Sequence, residues 1–329
     1  MRMLDLFSGI GGFHKGFEQA GYKFDWVGFS EIDKYASAVY KHRFPKAVEL
    51  GDITTIQPER DLPDHIDFIC GGFPCQSFSM AGKRQGFDDT RGTLFFEIAR
   101  ILRHYRDAKS PIDYFLLENV KGLLSHDNGR TFATIYGVLT DLGYSVEFQL
   151  LNTRWWLPQN RERIYLVGYI GDRSGSKVFP IGEGNFNAKD ERNGFKSGLW
   201  VQSIDSNYYK GADGKRTMID EGLNQIGTIG KDSEATRVYD TTCARTIKNG
   251  GGMGAKTGLY QTNSSIRRLT PVECCRLQGF PDDWNEFGEF DGKVVPMSDT
   301  QRYKQCGNAV TVNVVQAVAE RINKIGYTR

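Results

Sequence analysis

The sequence predicts an α/β protein in which a doubly wound, mostly parallel sheet covered by helices is followed by a smaller, loop-rich domain. Up to residue 170, short apolar runs alternate with stretches of helical spacing, as in successive βαβ units. After Ile170 the chain becomes rich in Gly, Asn, Ser and Asp and has few long apolar runs. With 329 residues, 39% of them hydrophobic, the chain is long enough to build two cores.

Six apolar runs predict the strands of the sheet: MLDLF (3–7), WVGFS (26–30), IDFICGG (66–72), DYFLLEN (113–119), SVEFQLL (145–151) and RIYLVGYI (163–170). Helical spacing predicts four helices in the same part of the chain, at 12–20, 33–43, 93–106 and 129–142. Sheets of this kind bind their ligands beyond the carboxyl ends of the strands. The functional residues are therefore expected in the segments that follow the strands.

Two more helices are predicted near the carboxyl terminus. Thr270 is suited to cap the first of them, with Pro271 in its first turn. Gly279 and Pro281 end it. The second helix, 310–325, has one apolar face, which must pack against the first domain.

These elements divide the chain into two predicted domains. The larger comprises residues 1–180, completed by 300–329, and the smaller comprises residues 181–299, including a hinge. The net charge of +2 alone makes no case for a nucleic-acid partner, although the segment 171–270 is more basic than the rest.

Composition narrows the class of protein. No segment reaches the roughly 18 consecutive apolar residues of a membrane helix, so no membrane is expected and the cytoplasm is the predicted location. Six cysteines with no C-x-x-C pair argue against a disulfide framework and against a zinc site. No metal is expected.

The stretch DLFSGIGGF (5–13) places a glycine-rich turn between the first strand and the first helix. It departs from the dinucleotide pattern G-x-G-x-x-G because position 14, where the third glycine would fall, is His14. Glu31 ends the second strand, where a carboxylate can hold ribose hydroxyls, and Asp52 precedes the third. Together they indicate a nucleoside cofactor without a pyrophosphate; a purely structural turn is the alternative.

Cys75 is the candidate nucleophile. It directly follows Pro74 beyond the end of a strand and begins a long polar, glycine-bearing stretch typical of a mobile lid. Cys70, within the apolar run, is predicted to be an inert buried side chain. A catalytic thiol must be exposed and must ionise, so position favours Cys75 over Cys70.

Three charged residues accompany Cys75 in this prediction. Glu118 ends a strand, and Arg161 and Arg163 lead into the next. A glutamate beside a thiol, with two arginines nearby, could hold the edge of a polar heteroaromatic ring while sulfur attacks it. A surface carboxylate with a salt-bridged arginine pair is the alternative.

Taken in order, these motifs closely resemble those of the cytosine-C5 DNA methyltransferases of bacterial restriction and modification systems. The matching stretches, from residue 3 to about residue 315, are DLFSGIGGF, SEIDKYA, GDI, GGFPCQSFS, GTLFFEIARI, LLENVKGL, LLNTRWWLPQNRERIYLVG, RRLTPVECCRLQGFPDDW and YKQCGNAVTVNV. A looser similarity to the GCGC-specific member covers 229–260. The resemblance implies a class I methyltransferase fold, S-adenosylmethionine as cofactor and double-stranded DNA as substrate.

The resemblance also implies roles for individual residues. Cys75 would add to C6 of a flipped cytosine, Glu118 would hold N3 and the exocyclic amine, and Arg163 would hold O2, with Arg161 beside them. The Phe73 carbonyl would accept from the amine. The implied cofactor residues are Phe7, Gly9, Gly11, Gly12, Glu31, Asp52, Ile53, Pro74, Leu94 and Asn308.

Recognition of DNA is assigned by the same resemblance to residues 171–265. Its implied centre is Arg237, Thr246 and Ile247, with Arg237 reading guanine or, alternatively, contacting phosphate. Two departures from the family pattern affect these assignments. Ile32 stands where an aromatic often covers the adenine, and Glu234 stands near the place of a gap-filling glutamine, so the gap is assigned to the lid residues Gln76, Lys83 or Arg84.

Three rival functions stay open at this stage. A branch of the family that methylates cytosine in transfer RNA has nearly the same motifs, although the long variable region favours DNA. A silent DNA-binding module is disfavoured by the intact Cys75, Glu118 and Arg163. A nicotinamide dehydrogenase is disfavoured by His14. The protein is expected to be a monomer that modifies a short palindromic site and is functionally paired with a restriction endonuclease.

Overall fold

The computed structural model describes residues 1–74, 94–171, 177–182, 225–229, 236–248, 257–261 and 265–325. A seven-stranded sheet is its centre. The strands of this part of the chain are β1 (Arg2–Leu6), β2 (Trp26–Ser30), β3 (Val48–Glu49), β4 (Phe68–Gly72), β5 (Tyr114–Val120), β6 (Tyr144–Asn152), β7 (Gln159–Asn160) and β8 (Glu162–Ile170). The order across the sheet is β3-β2-β1-β4-β5-β8-β6, and β8 alone runs antiparallel to its neighbours. The predicted doubly wound, mostly parallel sheet is confirmed.

Helices cover both faces of the sheet. Their bounds are α1 (Gly12–Gln19), α2 (Lys34–Arg43), α3 (Pro58–Asp61), α4 (Leu94–Asp107), α5 (Arg130–Asp141), α6 (Pro271–Leu277), α7 (Asp299–Asn308) and α8 (Val312–Lys324). Side chains alternate along β1, so Leu4 packs in the cluster beneath α4 and α5, whereas Met3 packs in the cluster beneath α1 and α8. A strand buried on both faces reads as a continuous apolar run, which explains why such runs alone located the strands.

The antiparallel strand β8 decides where the arginine segment lies. Its first residues pair with the last residues of β5, so Arg163 is opposite Val120 and Tyr165 is opposite Glu118. A parallel β8 would have placed its beginning at the other end of the sheet. The arginines are therefore at the carboxyl edge of the sheet, beside the glutamate.

The two helices predicted near the carboxyl terminus are confirmed. Thr270 caps α6 in a reciprocal capping box: its hydroxyl accepts from Glu273 N at 3.2 Å, and its own N–H donates to the Glu273 carboxylate at 2.7 Å. The final helix, α8, packs on α1. A Cβ on Gly16 would lie 2.6 Å from Val315 Cβ, so the helices approach closely at this glycine.

The smaller part of the structure consists of short strands. They are β9 (Gln225–Thr228), β10 (Arg237–Tyr239), β11 (Ala244–Arg245), β12 (Leu259–Gln261), β13 (Ile266–Arg268), β14 (Phe287–Phe290) and β15 (Lys293–Pro296). Four of them form a sheet in the order β13-β12-β10-β9, and β11 pairs with β7 of the larger part. The hydrophobic cluster under α2 includes Tyr40 of that helix, and it also contains Cys274, Leu277 and Trp284. The predicted second domain, 181–299, thus has a segment that packs on the first; its boundaries stay a prediction.

No helix in the described part of the chain is long and apolar enough to cross a membrane.

Candidate active site

One edge of the main sheet gathers most of the residues predicted to act. The glycine turn follows β1, Glu31 follows β2, Pro74 follows β4, Glu118 lies near the end of β5, and Arg163 lies near the start of β8. Because parallel strands end at a common edge, residues far apart in sequence meet there. The structure therefore brings these predicted residues together at the carboxyl edge of the sheet.

The turn after β1 has an unusual backbone. Gly9 and Gly11 have φ values of 54° and 84°, and Phe7 adopts φ 53° without being glycine. No atom of the described residues lies within 4 Å of a Cβ built on Gly9, whereas a Cβ on Gly11 would lie 2.6 Å from the Phe44 ring. The first glycine therefore leaves open space for a ligand, and the second makes room for α2. Gly12 similarly allows Val310 to approach, at 2.7 Å from a built Cβ.

Glu31 holds this turn in place. Its carboxylate accepts from Gly9 N and from Asp33 N, both at 2.8 Å. Burial raises the pKa of the Glu31 carboxyl, while these two backbone donors lower it. Each carboxylate oxygen keeps a further lone pair, so the side chain can accept from hydroxyl groups without releasing the turn.

The other predicted cofactor residues lie at the ends of other elements. Asp52 caps a short 3-10 helix by accepting from Thr54 N at 2.9 Å, and Ile53 in that helix is buried. Ile32 is 77% exposed. Leu94, half-buried, begins α4, and the exposed Asn308 ends α7.

Glu118 and Arg163 form an ion pair at the mouth of the sheet. Arg163 Nε lies 3.0 Å from Glu118 Oε1, with the side chains 16% and 10% exposed. The distance is that of an ion pair, but the N–H is not aligned for a hydrogen bond, so Oε1 has no hydrogen-bond donor among the described residues. Arg163 Nη1 donates instead to the Glu162 carbonyl at 2.8 Å. A buried carboxylate oxygen without a donor is suited to bind a polar ligand edge.

Asn119 is a site residue that the sequence analysis did not single out. Its amide donates to the Phe73 carbonyl at 2.8 Å, and its Oδ1 accepts from Val120 N at 2.8 Å. The carbonyl predicted to meet the cytosine amine therefore already has one donor and keeps one lone pair. The signal in the sequence was an asparagine at the end of the apolar run DYFLLEN. A polar side chain in such a run is buried when the strand is buried, and it then requires a hydrogen-bond partner.

Arg161 points away from the opening and into the protein. Its Nη1 and Nη2 donate to the carbonyls of Gly307 at 3.3 Å and Ala309 at 2.8 Å. Burial, together with the neighbouring Arg163, lowers the pKa of Arg161 to about 10. The sequence predicts Arg161 among the catalytic residues, but in the structure its contacts hold the end of α7, where Asn308 lies. Its geometry is that of a positioning residue.

The predicted nucleophile lies outside the described residues, together with the lid residues. Pro74 is the last described residue before it and is exposed. Cys75, Gln76, Lys83 and Arg84 all belong to this undescribed segment. Cys70, in contrast, is fully buried, and burial with the nearby Asp5 carboxylate raises the pKa of its thiol well above the usual range, as expected for an inert cysteine.

The predicted DNA-reading residues occupy different environments. Arg237, half-buried, begins β10. Thr246 donates its hydroxyl to the Asn160 carbonyl at 2.6 Å. Ile247 is 1% exposed and belongs to the cluster under α2. The Ile247 side chain packs inward, so the predicted DNA contact at this position has to come from its backbone.

A buried polar chain lies beneath the glycine turn. Tyr40 donates its hydroxyl to Asp5 Oδ2 at 3.2 Å, and His14 Nδ1 lies 3.0 Å from the same hydroxyl. The His14 ring stacks on Phe44 with centroids 3.8 Å apart. Burial raises the pKa of Asp5 well above its ordinary value and lowers that of His14 to about 4. His14, noted in the sequence for interrupting a glycine pattern, is therefore a neutral core residue.

His14 should make the protein sensitive to mild acid. Because its folded pKa of about 4 lies below the ordinary 6.5, its stabilising effect is present above pH 6.5 and is lost as the pH falls towards 4. Between pH 7.5 and pH 5, wild type should lose about 2 kcal/mol more unfolding free energy than His14→Gln, measured by urea titration. His126→Gln, at an exposed histidine, should retain the wild-type pH dependence. Equal losses in His14→Gln and wild type would contradict the assignment.

One group of side chains that could ligate a metal ion occurs among the described residues, away from this site. It comprises His65, Asp67 and Asp113, whose ligand atoms lie within 4.8 Å of one another. They lie just before β4 and β5, at the opposite edge of the sheet. Asp67 Oδ2 accepts from Arg2 N at 2.6 Å, and Oδ1 lies 3.3 Å from His65 Nε2. These contacts connect β1 to the segment before β4, which is a structural role.

Comparison with known proteins gives a consistent picture. The family model described as C-5 cytosine-specific DNA methylase matches residues 1–324. The chain is 42% identical to the Type II methyltransferase M1.ScrFI of Lactococcus lactis subsp. cremoris, covering 98% of this chain and 78% of that protein. It is 39% identical to the Type II methyltransferase M.HhaI of Haemophilus parahaemolyticus, covering 98% and 94%. Among solved structures, the S. pombe Dnmt2 methyltransferase superposes with a TM-score of 0.66 over 99% of both chains, at 18% identity, a likeness of fold alone.

Proposed function

The chain belongs to the C-5 cytosine-specific DNA methylase family, and from this premise we propose how its own residues methylate cytosine and where they read DNA. The family activity is transfer of a methyl group from S-adenosylmethionine to C5 of cytosine in DNA. The observation that carries the residue assignment is the Glu118–Arg163 pair, buried at the same sheet edge as the open glycine turn.

The residues around the turn suit S-adenosylmethionine. The open space at Gly9 admits a ligand against the backbone, and the half-buried Glu31 carboxylate keeps lone pairs for the ribose hydroxyls. Phe7 and Ile32 supply apolar surface for the adenine, and Asp52 supplies an acceptor for its amino group. When bound, the cofactor supplies a methyl group activated as an electrophile. Pro74, Leu94 and Asn308 complete the proposed set.

The target cytosine must leave the duplex stack before these residues can reach it. Glu118 Oε1, which is buried and has no donor within the described part of the chain, then accepts from the exocyclic amine, and the carboxyl donates at N3. Arg163 donates to O2. Both contacts hold the ring edge in place and favour the electron shift that nucleophilic attack requires.

Cys75 carries the covalent step. Its thiolate forms a bond to C6, and the displaced electron pair is stabilised on the ring as N3 takes a proton from Glu118, which leaves C5 electron-rich. After C5 is methylated, a base removes the C5 proton, and the electrons of that C–H bond restore the double bond as the C–S bond breaks. N3 returns its proton to the Glu118 carboxylate, so the thiolate, the carboxyl group and the aromatic ring are all regenerated. Asn119, by fixing the Phe73 carbonyl, positions the segment that leads into Cys75.

Recognition is proposed to lie in the smaller domain, 181–299, with the larger, 1–180 and 300–329, holding the chemistry. The pairing of β11 with β7 connects the two. Through it, Ala244 lies opposite Gln159, and the next residues, Arg245 and Thr246, lead on beside Asn160. The strand β11 of the smaller domain is thereby next to the segment that leads into Arg161 and Arg163.

Arg237 is expected to read a guanine. Its planar donor pair matches the O6 and N7 acceptors of guanine in the major groove. Arg237→Ala should relax preference at one guanine position, a loss of about 1–3 kcal/mol of discrimination, measured by sequencing methylated sites from a randomised DNA library. Arg237→Lys, which keeps the charge but not the paired donors, is the matched control and should relax the same position. Uniformly weaker binding with unchanged site preference would assign Arg237 to phosphate instead.

The biological setting is proposed from the relatives. We expect a monomeric cytoplasmic enzyme that modifies a short palindromic duplex site and protects it from a restriction endonuclease, with Gln76, Lys83 or Arg84 filling the gap left by the cytosine. Bisulfite sequencing of a plasmid from cells expressing the protein tests this directly. Methylated cytosines confined to one short palindrome support it; methyl transfer to total transfer RNA but not to duplex DNA would overturn it.

A further inference from the structure

We infer that Trp284 is a positioning residue for the cofactor turn. It belongs to the stretch GFPDDW (279–284), which the function described above leaves without a role. The Trp284 indole N–H donates to the Ile10 carbonyl at 2.9 Å across 274 residues of sequence, and both residues are buried. The inference rests on S-adenosylmethionine binding at the glycine turn.

The hydrogen bond fixes one peptide plane within the turn. The peptide between Ile10 and Gly11 has its carbonyl bound by Trp284 and its N–H bound to the Ser8 carbonyl at 2.9 Å. Gly11, at φ 84°, has no Cβ to resist rotation of that plane. With both ends bound, the plane has one orientation, and the open face at Gly9 is preorganised.

Trp284 is itself held rigidly. Its ring stacks on Phe280 with centroids 5.2 Å apart and meets the Phe44 ring edge-on at 5.7 Å. The Arg43 guanidinium lies 5.1 Å from the ring centroid, and Arg43 Nε donates to the Trp284 carbonyl at 2.7 Å. Stacking, the cation–π contact and the hydrogen bond to its backbone fix the orientation of the Trp284 indole N–H. The side chain therefore has little conformational freedom left to lose when the cofactor binds.

The turn is thus held from two sides. Glu31 binds Gly9 N from the side of the cofactor, and Trp284 binds the Ile10 carbonyl from the opposite part of the fold. Glu31 is within reach of the ligand, whereas Trp284 acts only through the backbone. Loss of Trp284 should therefore affect cofactor affinity more than the chemistry on cytosine.

The test compares Trp284→Phe with wild type by calorimetric titration of S-adenosylhomocysteine. Phenylalanine keeps the ring stacking but removes the donor, so the Kd should rise about fivefold, as for loss of one neutral hydrogen bond. The KM for S-adenosylmethionine should rise similarly, with kcat and the KM for DNA within about twofold of wild type. The matched control is Trp26→Phe, at the other edge of the sheet in β2, which should leave the Kd unchanged.

Unchanged Kd in Trp284→Phe, or a rise of the same size in Trp26→Phe, would overturn the inference. A second measurement does not depend on the folding of Trp284→Phe. In wild type labelled with 15N-tryptophan, the Trp284 indole signal, assigned by elimination from Phe variants of the other four tryptophans, should exchange its proton more slowly when S-adenosylhomocysteine binds. An indole exchange rate insensitive to the ligand would also overturn it. Wild-type methylation of DNA tests the proposed function separately.

Discussion

Cys75→Ala is expected to abolish methylation while leaving S-adenosylhomocysteine affinity within about twofold of wild type. Without covalent addition at C6, C5 of cytosine is too poor a nucleophile to take a methyl group, and the thiol is assigned to the base and not to the cofactor. Transfer of tritiated methyl to duplex DNA and calorimetric titration measure the two properties. Substantial turnover by the variant would remove Cys75 from the mechanism.

Cys70→Ala is the matched control for this prediction. Cys70 is five positions earlier and is fully buried against Asp5 and the Leu4 carbonyl, with its thiol pKa raised by burial. We expect it to lower stability slightly and to retain methyl transfer. The opposite pattern, with Cys70→Ala inactive at normal stability and Cys75→Ala active, would exchange the two assignments.

A covalent complex should accumulate on duplex DNA that carries 5-fluorocytosine at the target. Fluorine cannot leave C5 as a proton does, so the last step stops with the C–S bond intact. The complex should survive denaturing electrophoresis with wild type and be missing with Cys75→Ala. An active enzyme that gives no such adduct would argue strongly against attack at C6.

Glu118→Gln should slow the single-turnover rate at least about tenfold, a loss of roughly 1.4 kcal/mol or more of transition-state stabilisation. The amide cannot act as an acid at N3, and it also leaves the Arg163 guanidinium without its ion-pair partner in a setting where both side chains are mostly buried. Rapid-quench methylation of a saturating duplex isolates this step from binding and product release.

Glu162→Gln controls for the loss of a nearby charge. Glu162 pairs with Lys121 at 2.8 Å beside the same strand, on a more exposed part of the surface. Its replacement should change the single-turnover rate less than about twofold, because exposed ion pairs contribute little. Equal losses of rate in Glu118→Gln and Glu162→Gln would show that negative charge near the site affects the rate. They would contradict a specific contact of Glu118 with the base.

Much of the fold could be predicted from the sequence because both faces of the sheet are buried. Continuous apolar runs such as IDFICGG then mark the strands, and the segments between them contain helices by length and spacing. The edge that holds Glu31, Glu118 and Arg163 followed from a general property of parallel sheets. The family resemblance supplied individual roles that composition and spacing could not.

Only the tertiary structure separated neighbouring residues of one motif. Arg161 and Arg163 are two positions apart in a strand-flanking segment, yet Arg161 binds the carbonyls of Gly307 and Ala309 while Arg163 faces Glu118. The direction of each arginine side chain depends on which partner the fold places beside it. The partner of Arg161 is the end of α7, almost 150 residues later in the chain, and no local pattern in the sequence specifies that contact.

The sequence by itself determined the main strands and helices of the larger domain, the glycine turn and the family, because these depend on apolar runs, local periodicity and residue types at fixed spacing. The tertiary structure decided that His14 is a neutral core residue, that Ile247 packs inward and that Trp284 binds the Ile10 carbonyl. Each of these depends on contacts between segments distant along the chain. Burial and hydrogen-bond partners are set by the packing of the whole molecule, so they become visible only when the chain is folded.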